Sequence, residues 1–102
     1  MVQGTDSAVN IHRISGYVTA QYDGFWWLAY VLNVLGESGE VELNFLHPHG
    51  PSRSFSYPTP PDKLVMSAQD ILTVVDPKTV TGRVYTLSSD EMATATRAVK
   101  DQ

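Results

Sequence analysis

An Asp23-Gly24 pair stands between Tyr22 and the run Phe25-Trp26-Trp27-Leu28-Ala29-Tyr30-Val31. Both residue types tolerate positive φ, so this dipeptide between apolar runs is the strongest short-range signal for a β-hairpin. The stretch 22–31 also carries five of the chain's ten aromatic rings, both tryptophans among them. Rings at that density either build a core or line a recognition surface, because they carry more area to bury than any other side chain. A small domain rarely needs five for its core alone, and that surplus is the first functional clue.

Length and composition bound the rest. The chain's 102 residues make one domain with a modest stability margin. A formal net charge of -4 with seven scattered basic residues counts against a grip on nucleic-acid phosphates and favours a cationic ligand over an anionic one. The absence of cysteine removes disulfides, thiolate nucleophiles and cysteine zinc sites, and is consistent with an intracellular setting. No run approaches the roughly 18 apolar residues of a membrane span, and the first residues lack a signal-peptide pattern, so the chain reads as soluble.

Along the chain, residues 1–10 read as a flexible N-terminal segment. Alternation from Ile11 to Tyr22 predicts a first strand, Phe25 to about Leu35 a second, and Gly36-Glu37-Ser38-Gly39 a polar turn. In Glu40 to Leu46, Val41, Leu43 and Phe45 oppose Glu40, Glu42 and Asn44, a third strand with one wet face. Five of the six prolines fall in 47–62, which predicts a loop pinned to the body by Phe55 and Tyr57. A strand at Lys63 to Met66, a helical turn over 67–70, a strand at Ile71 to Val75 ended by Asp76-Pro77, and a last strand within Gly82 to Leu87 follow. Ser88 and Glu91 have capping-box spacing and open a terminal helix over 88–102, with Arg97 and Lys100 near its end and Met92, Ala95 and Val99 as a narrow apolar stripe. The fold class is thus mainly β: a small, strongly bent antiparallel barrel of about five strands over 11–87, with a C-terminal α-helix.

Chemistry-bearing patterns are few. His47-Pro48-His49 places two imidazoles close together, without the cysteine or acidic partners of a metal site. No G-x-S-x-G nucleophile turn and no phosphate-binding glycine loop occurs, and Glu40 and Glu42 read as a solvated strand face. The expectation is a non-enzymatic protein with neither metal nor cofactor.

The run Ala20-Gln21-Tyr22-Asp23-Gly24-Phe25-Trp26-Trp27-Leu28-Ala29-Tyr30-Val31, followed by an acidic glycine turn and Val41-Glu42-Leu43-Asn44-Phe45, resembles the first three strands of Tudor-like, or SH3-like, barrels. The resemblance spans roughly residues 15–75. It implies a methyl-lysine or methyl-arginine reader of a histone-like tail, in a nuclear, chromatin setting, with an aromatic cage at one end of the barrel. Position by position, Tyr22, Trp27 and Phe45 fall on the cage rings of the first three strands. Where the family places its next wall this chain reads Leu46-His47-Pro48-His49, a departure that requires Phe55 or Tyr57 to fold back and close the box. Asp23 stands beside the implied mouth, where a carboxylate would pair with a methylated ammonium.

The same residues have a plainer reading. Trp27, Ala29 and Val31 share a face with Val41, Leu43 and Phe45 as core, with Tyr22 at the rim, while Trp26, Leu28, Tyr30 and Leu32 make the opposite face too apolar to stay bare. The terminal helix or a second protein chain would cover it. Two alternatives therefore stand beside the peptide reader: an assembly module that docks a partner, or a second copy of itself, through that face and the proline-rich loop; and a small-barrel nucleic-acid binder, for which Arg13, Arg53 and Lys63 are too few to form a funnel.

Overall fold

The computed structural model describes residues 14–48 and 53–99. The hairpin forms as expected, with β1 (Tyr17–Tyr22) and β2 (Phe25–Leu35) joined through Asp23 at φ 55° and Gly24 at φ 82°. Two consecutive positive φ values are those of a type I′ turn, which matches the right-handed twist of the flanking strands. β3 (Glu40–Phe45) pairs antiparallel with β2, and two short strands of the second sheet follow it: β4 (His47–Pro48) and β5 (Ser54–Ser56). β6 (Asp62–Ser67), a 3-10 turn over Ala68–Asp70, β7 (Ile71–Val75), β8 (Val84–Thr86) and α1 (Ser89–Ala98) complete the order.

β2 is the organising strand. Its first half pairs with β1, from Tyr22↔Phe25 to Tyr17↔Tyr30, and its second half with β3, from Ala29↔Phe45 to Leu35↔Glu40. Ala29 and Tyr30 belong to both ladders. Register shifts between Val31 and Asn33 and between Thr19 and Ala20 add the local bends that such a divided strand needs.

The five-stranded sheet has the order β6-β3-β2-β1-β7. Its two edges would lie about 19 Å apart in a flat sheet, at about 4.8 Å per strand. The three residues Ala68–Asp70 join them, and a 3-10 turn of that length spans only about 6 Å. The sheet therefore curls strongly. Ser67 caps the turn by accepting from the Gln69 N–H, and the chain crosses to β1 instead of returning along β6. Among the described residues no ladder joins β6 to β7, so the expected barrel is not closed by hydrogen bonds. What stands is a mainly β fold of antiparallel sheets with one C-terminal helix.

The inner face of the curl holds one core, in which Val18, Ala20, Ala29, Val41, Leu43, Phe45 and Ile71 are buried with Trp27 and Val31 against them. The outer face has a second core. Leu28, Leu46, Phe55 and Leu87 are buried there, with Trp26, Tyr57, Tyr85 and Met92 packed around them. Leu28 is thus covered by a second sheet, β4-β5-β8, and by the helix. The proline-rich segment contributes two of those strands, β4 and β5, where the sequence predicts a loop; Ser54–Ser56 lies between its prolines, and β5 is central to its small sheet. Trp26 donates from Nε1 to Thr96 Oγ1 at 3.1 Å, which ties β2 to α1. The expected helix cover is therefore only part of the lid on this face. First-strand residues Ile11–Arg13, and Lys100 of the expected helix, lie outside the described residues.

Candidate functional site

Alternation along bent strands brings one set of side chains to the open end of the inner core. Phe45 pairs with Ala29 on one side and Asp62 on the other, so the three share a face. Trp27 lies two residues before Ala29 and His47 two after Phe45. Tyr22, two beyond Ala20, ends the same row on β1. The result is a cavity of about 230 Å³ lined by Tyr22, Trp27, Phe45, His47, Asp62, Lys63 and Leu64.

Phe45, at 5% exposure, is the floor, held by the core beneath it. Trp27 is half-buried, and its Nε1 donates to the Tyr22 carbonyl at 3.2 Å. That bond spans the type I′ hairpin, so the hairpin itself sets the indole orientation. Tyr22 forms an exposed rim. The imidazole of His47 stands 5.9 Å from Trp27, ring centre to ring centre, at 56°, and its Nε2 is 2.7 Å from Asp62 Oδ2. A neutral imidazole with its proton on Nε2 donates to that carboxylate and leaves the negative charge in place.

Of the residues the sequence singles out, Tyr22, Trp27 and Phe45 are brought together here. Asp23 is an exposed residue of the hairpin turn, where its tolerance of positive φ is used, and it does not line the cavity. Phe55 is buried in the outer core, with its ring 6.0 Å from that of Trp26. Tyr57 packs in the same core, and its hydroxyl meets that of Tyr17 at 3.0 Å. Neither folds back to close a box. The wall they were expected to supply is built from His47, Asp62 and Leu64. Sequence reasoning missed these because no local spacing links His47 to Asp62; the signal is the β3–β6 register, which sets Asp62 opposite Phe45. His49 lies outside the described residues.

The cavity is smaller than the roughly 300–1,000 Å³ typical of cofactor and drug-sized ligand sites. It fits a side-chain head group. Two rings, an apolar floor and a carboxylate suit a diffuse cation, since each ring face that it meets contributes about 0.5–2 kcal/mol, while the Lys63 ammonium in the same lining acts against it. No family model matches this chain, and neither a curated protein nor a solved structure matches it.

Proposed function

We propose that this protein is a non-enzymatic interaction module that captures a methylated lysine or arginine side chain of a peptide in the cavity between β1, β2, β3 and β6. The observation that carries the reading is the convergence of Tyr22, Trp27 and Phe45 on one small open cavity with the carboxylate of Asp62 at its wall. The site so read comprises Tyr22, Trp27, Phe45, His47 and Asp62, without Asp23, Phe55 or Tyr57. Strand order and the 3-10 corner support the finer description of the sheet as an SH3-like, Tudor-like barrel; a nuclear, chromatin-associated role on histone-like tails is the part of this proposal that rests on the sequence resemblance alone.

Titration with trimethyl-lysine and dimethyl-arginine peptides, read by tryptophan fluorescence, tests this. A methylated peptide is expected to quench Trp27 with saturation while its unmodified counterpart binds several-fold more weakly. Equal response to both peptides, or none, would refute the reading. Two ring faces and a carboxylate amount to about 2–4 kcal/mol, which by itself corresponds to millimolar affinity or weaker. Peptide flanks must therefore contribute.

A further inference from the structure

We propose that the ligand's flanks bind as an added strand: an extended basic segment pairs its backbone with the outer edge of β6, placing its methylated side chain in the neighbouring cavity. This inference rests on the cavity reading and names the mode by which the partner is held.

Three observations carry it. Asp62, Lys63 and Leu64 all line the cavity, so it lies directly against the first half of β6. The two edges of the sheet are also treated differently. β7 is irregular in its register with β1 and has α1 packed on it. β6 pairs with β3 over six consecutive residues without a bulge, contains no proline, and has no partner on its other side among the described residues. Leu64 and Val65, on opposite faces, are 37% and 46% exposed, so the half of this edge beside the cavity is open on both faces, while Met66 further along is buried in the inner core. Natural edges are usually blunted by charged side chains, bulges, prolines or covering elements; of these β6 has only the exposed Asp62 and Lys63 at its start, and a regular uncovered edge is a template for another strand.

Charge then selects the occupant. Asp62 opens β6 and Glu42 and Glu40 stand opposite Val65 and Ser67 on β3, three carboxylates against the single ammonium of Lys63, so a basic segment fits better than an acidic one. Every second residue of an edge strand directs its N–H and C=O outward. An added strand satisfies those groups, which supplies the affinity that the cavity alone lacks.

Amide hydrogen exchange of β6, followed by NMR, tests the mode with two probes: a short trimethyl-lysine peptide with basic flanks, and N-acetyl-trimethyl-lysine amide, which has the side chain but no strand. The peptide is expected to slow alternate amides within 62–67 by about tenfold or more at saturation, whereas the capped amino acid quenches Trp27 and leaves them unchanged. A peptide N-methylated at every second backbone nitrogen should lose binding in one register and keep it in the other. Quenching by both probes with no slowing in β6 would overturn the added strand while leaving the cavity reading intact. Absence of quenching by either probe would remove both. Protection of β6 in the free protein that grows with its concentration would assign the edge to a second copy of the chain and also overturn the proposal.

Discussion

Asp62 shows how far a single side chain's role depends on its neighbours. It opens a strand, is about half exposed, and accepts a 2.7 Å bond from His47, a surface contact of small value to stability. Its value in the proposed site is different, because beside two ring faces the carboxylate meets a cation already partly desolvated. Asp62→Asn is therefore expected to change the unfolding free energy measured in urea by no more than about 0.5 kcal/mol while weakening a trimethyl-lysine peptide by about three- to tenfold. Full affinity in the Asn variant would leave only the rings as the source of binding. Phe45 behaves in the opposite way. Nearly wholly buried in the inner core, it gives no clean binding variant, because truncating it to alanine is expected to cost about 3–5 kcal/mol of folding free energy.

At the scale of elements, the terminal helix was legible in its sequence because its signals are local. Ser88 accepts from the Glu91 N–H, and Glu91 accepts from the Ser88 N–H, both at 3.0 Å. Ser88→Ala should cost about 1 kcal/mol in urea denaturation and loosen α1 first. A second partner of Glu91 was not legible, because it comes from another element: the Asp76 N–H, at the exit of β7, donates to the same carboxylate at 2.8 Å. Partial burial pushes Glu91 up, but the hydrogen bonds from Asp76 and Ser88 outweigh it and hold the carboxyl below its ordinary value of 4.5. A depressed carboxyl stabilises the folded state above its unfolded pKa and loses that contribution as pH falls through the folded one. Stability should accordingly drop below about pH 4.5 by more in the wild type than in Glu91→Gln. Parallel acid curves for the two would show that the Glu91 bonds do not survive in solution.

Across the whole molecule, the two sheets are joined through Leu28 and a group of tyrosines. Leu28 is fully buried on the outer face of β2, and Leu28→Ala should cost about 2–5 kcal/mol, a large part of the margin of a domain this size. Tyr17 on β1 and Tyr57 after β5 meet through their hydroxyls, with the ring of Tyr85 beside both. Burial is the main reason that both hydroxyls are pushed above the ordinary value of 10.0; hydrogen bonds with Tyr57 and Tyr85 add to this for Tyr17, while for Tyr57 the bond with Tyr17 works against it. A raised phenol keeps its proton when folded, so the stability it contributes is present below pH 10.0 and is lost as pH rises above that value. Circular dichroism should show alkaline unfolding beginning above about pH 10, with Tyr57→Phe less sensitive over that range. A wild-type protein unchanged to pH 12, on the order of two units above the free phenol value, would mean that this junction does not couple the sheets.

The chain's local chemistry determined what depends on near neighbours. Asp23-Gly24 set the hairpin, alternation in Val41-Glu42-Leu43-Asn44-Phe45 set a half-buried strand, and Ser88 with Glu91 started the helix, because turns, alternation and caps act over two to four residues. The rings of Tyr22, Trp27 and Phe45 could be assigned to one rim for the same reason, since each follows from its place on a neighbouring strand. Only the tertiary structure decided what closes the cavity and what covers Trp26 and Leu28. His47 and Asp62 are fifteen positions apart with the proline-rich segment between them, and whether Phe55 turned toward the cavity or the outer core depended on which buried more of its ring. The outer core won because Leu28, Leu46 and Leu87 offered Phe55 an apolar enclosure, whereas the cavity rim stays open to water.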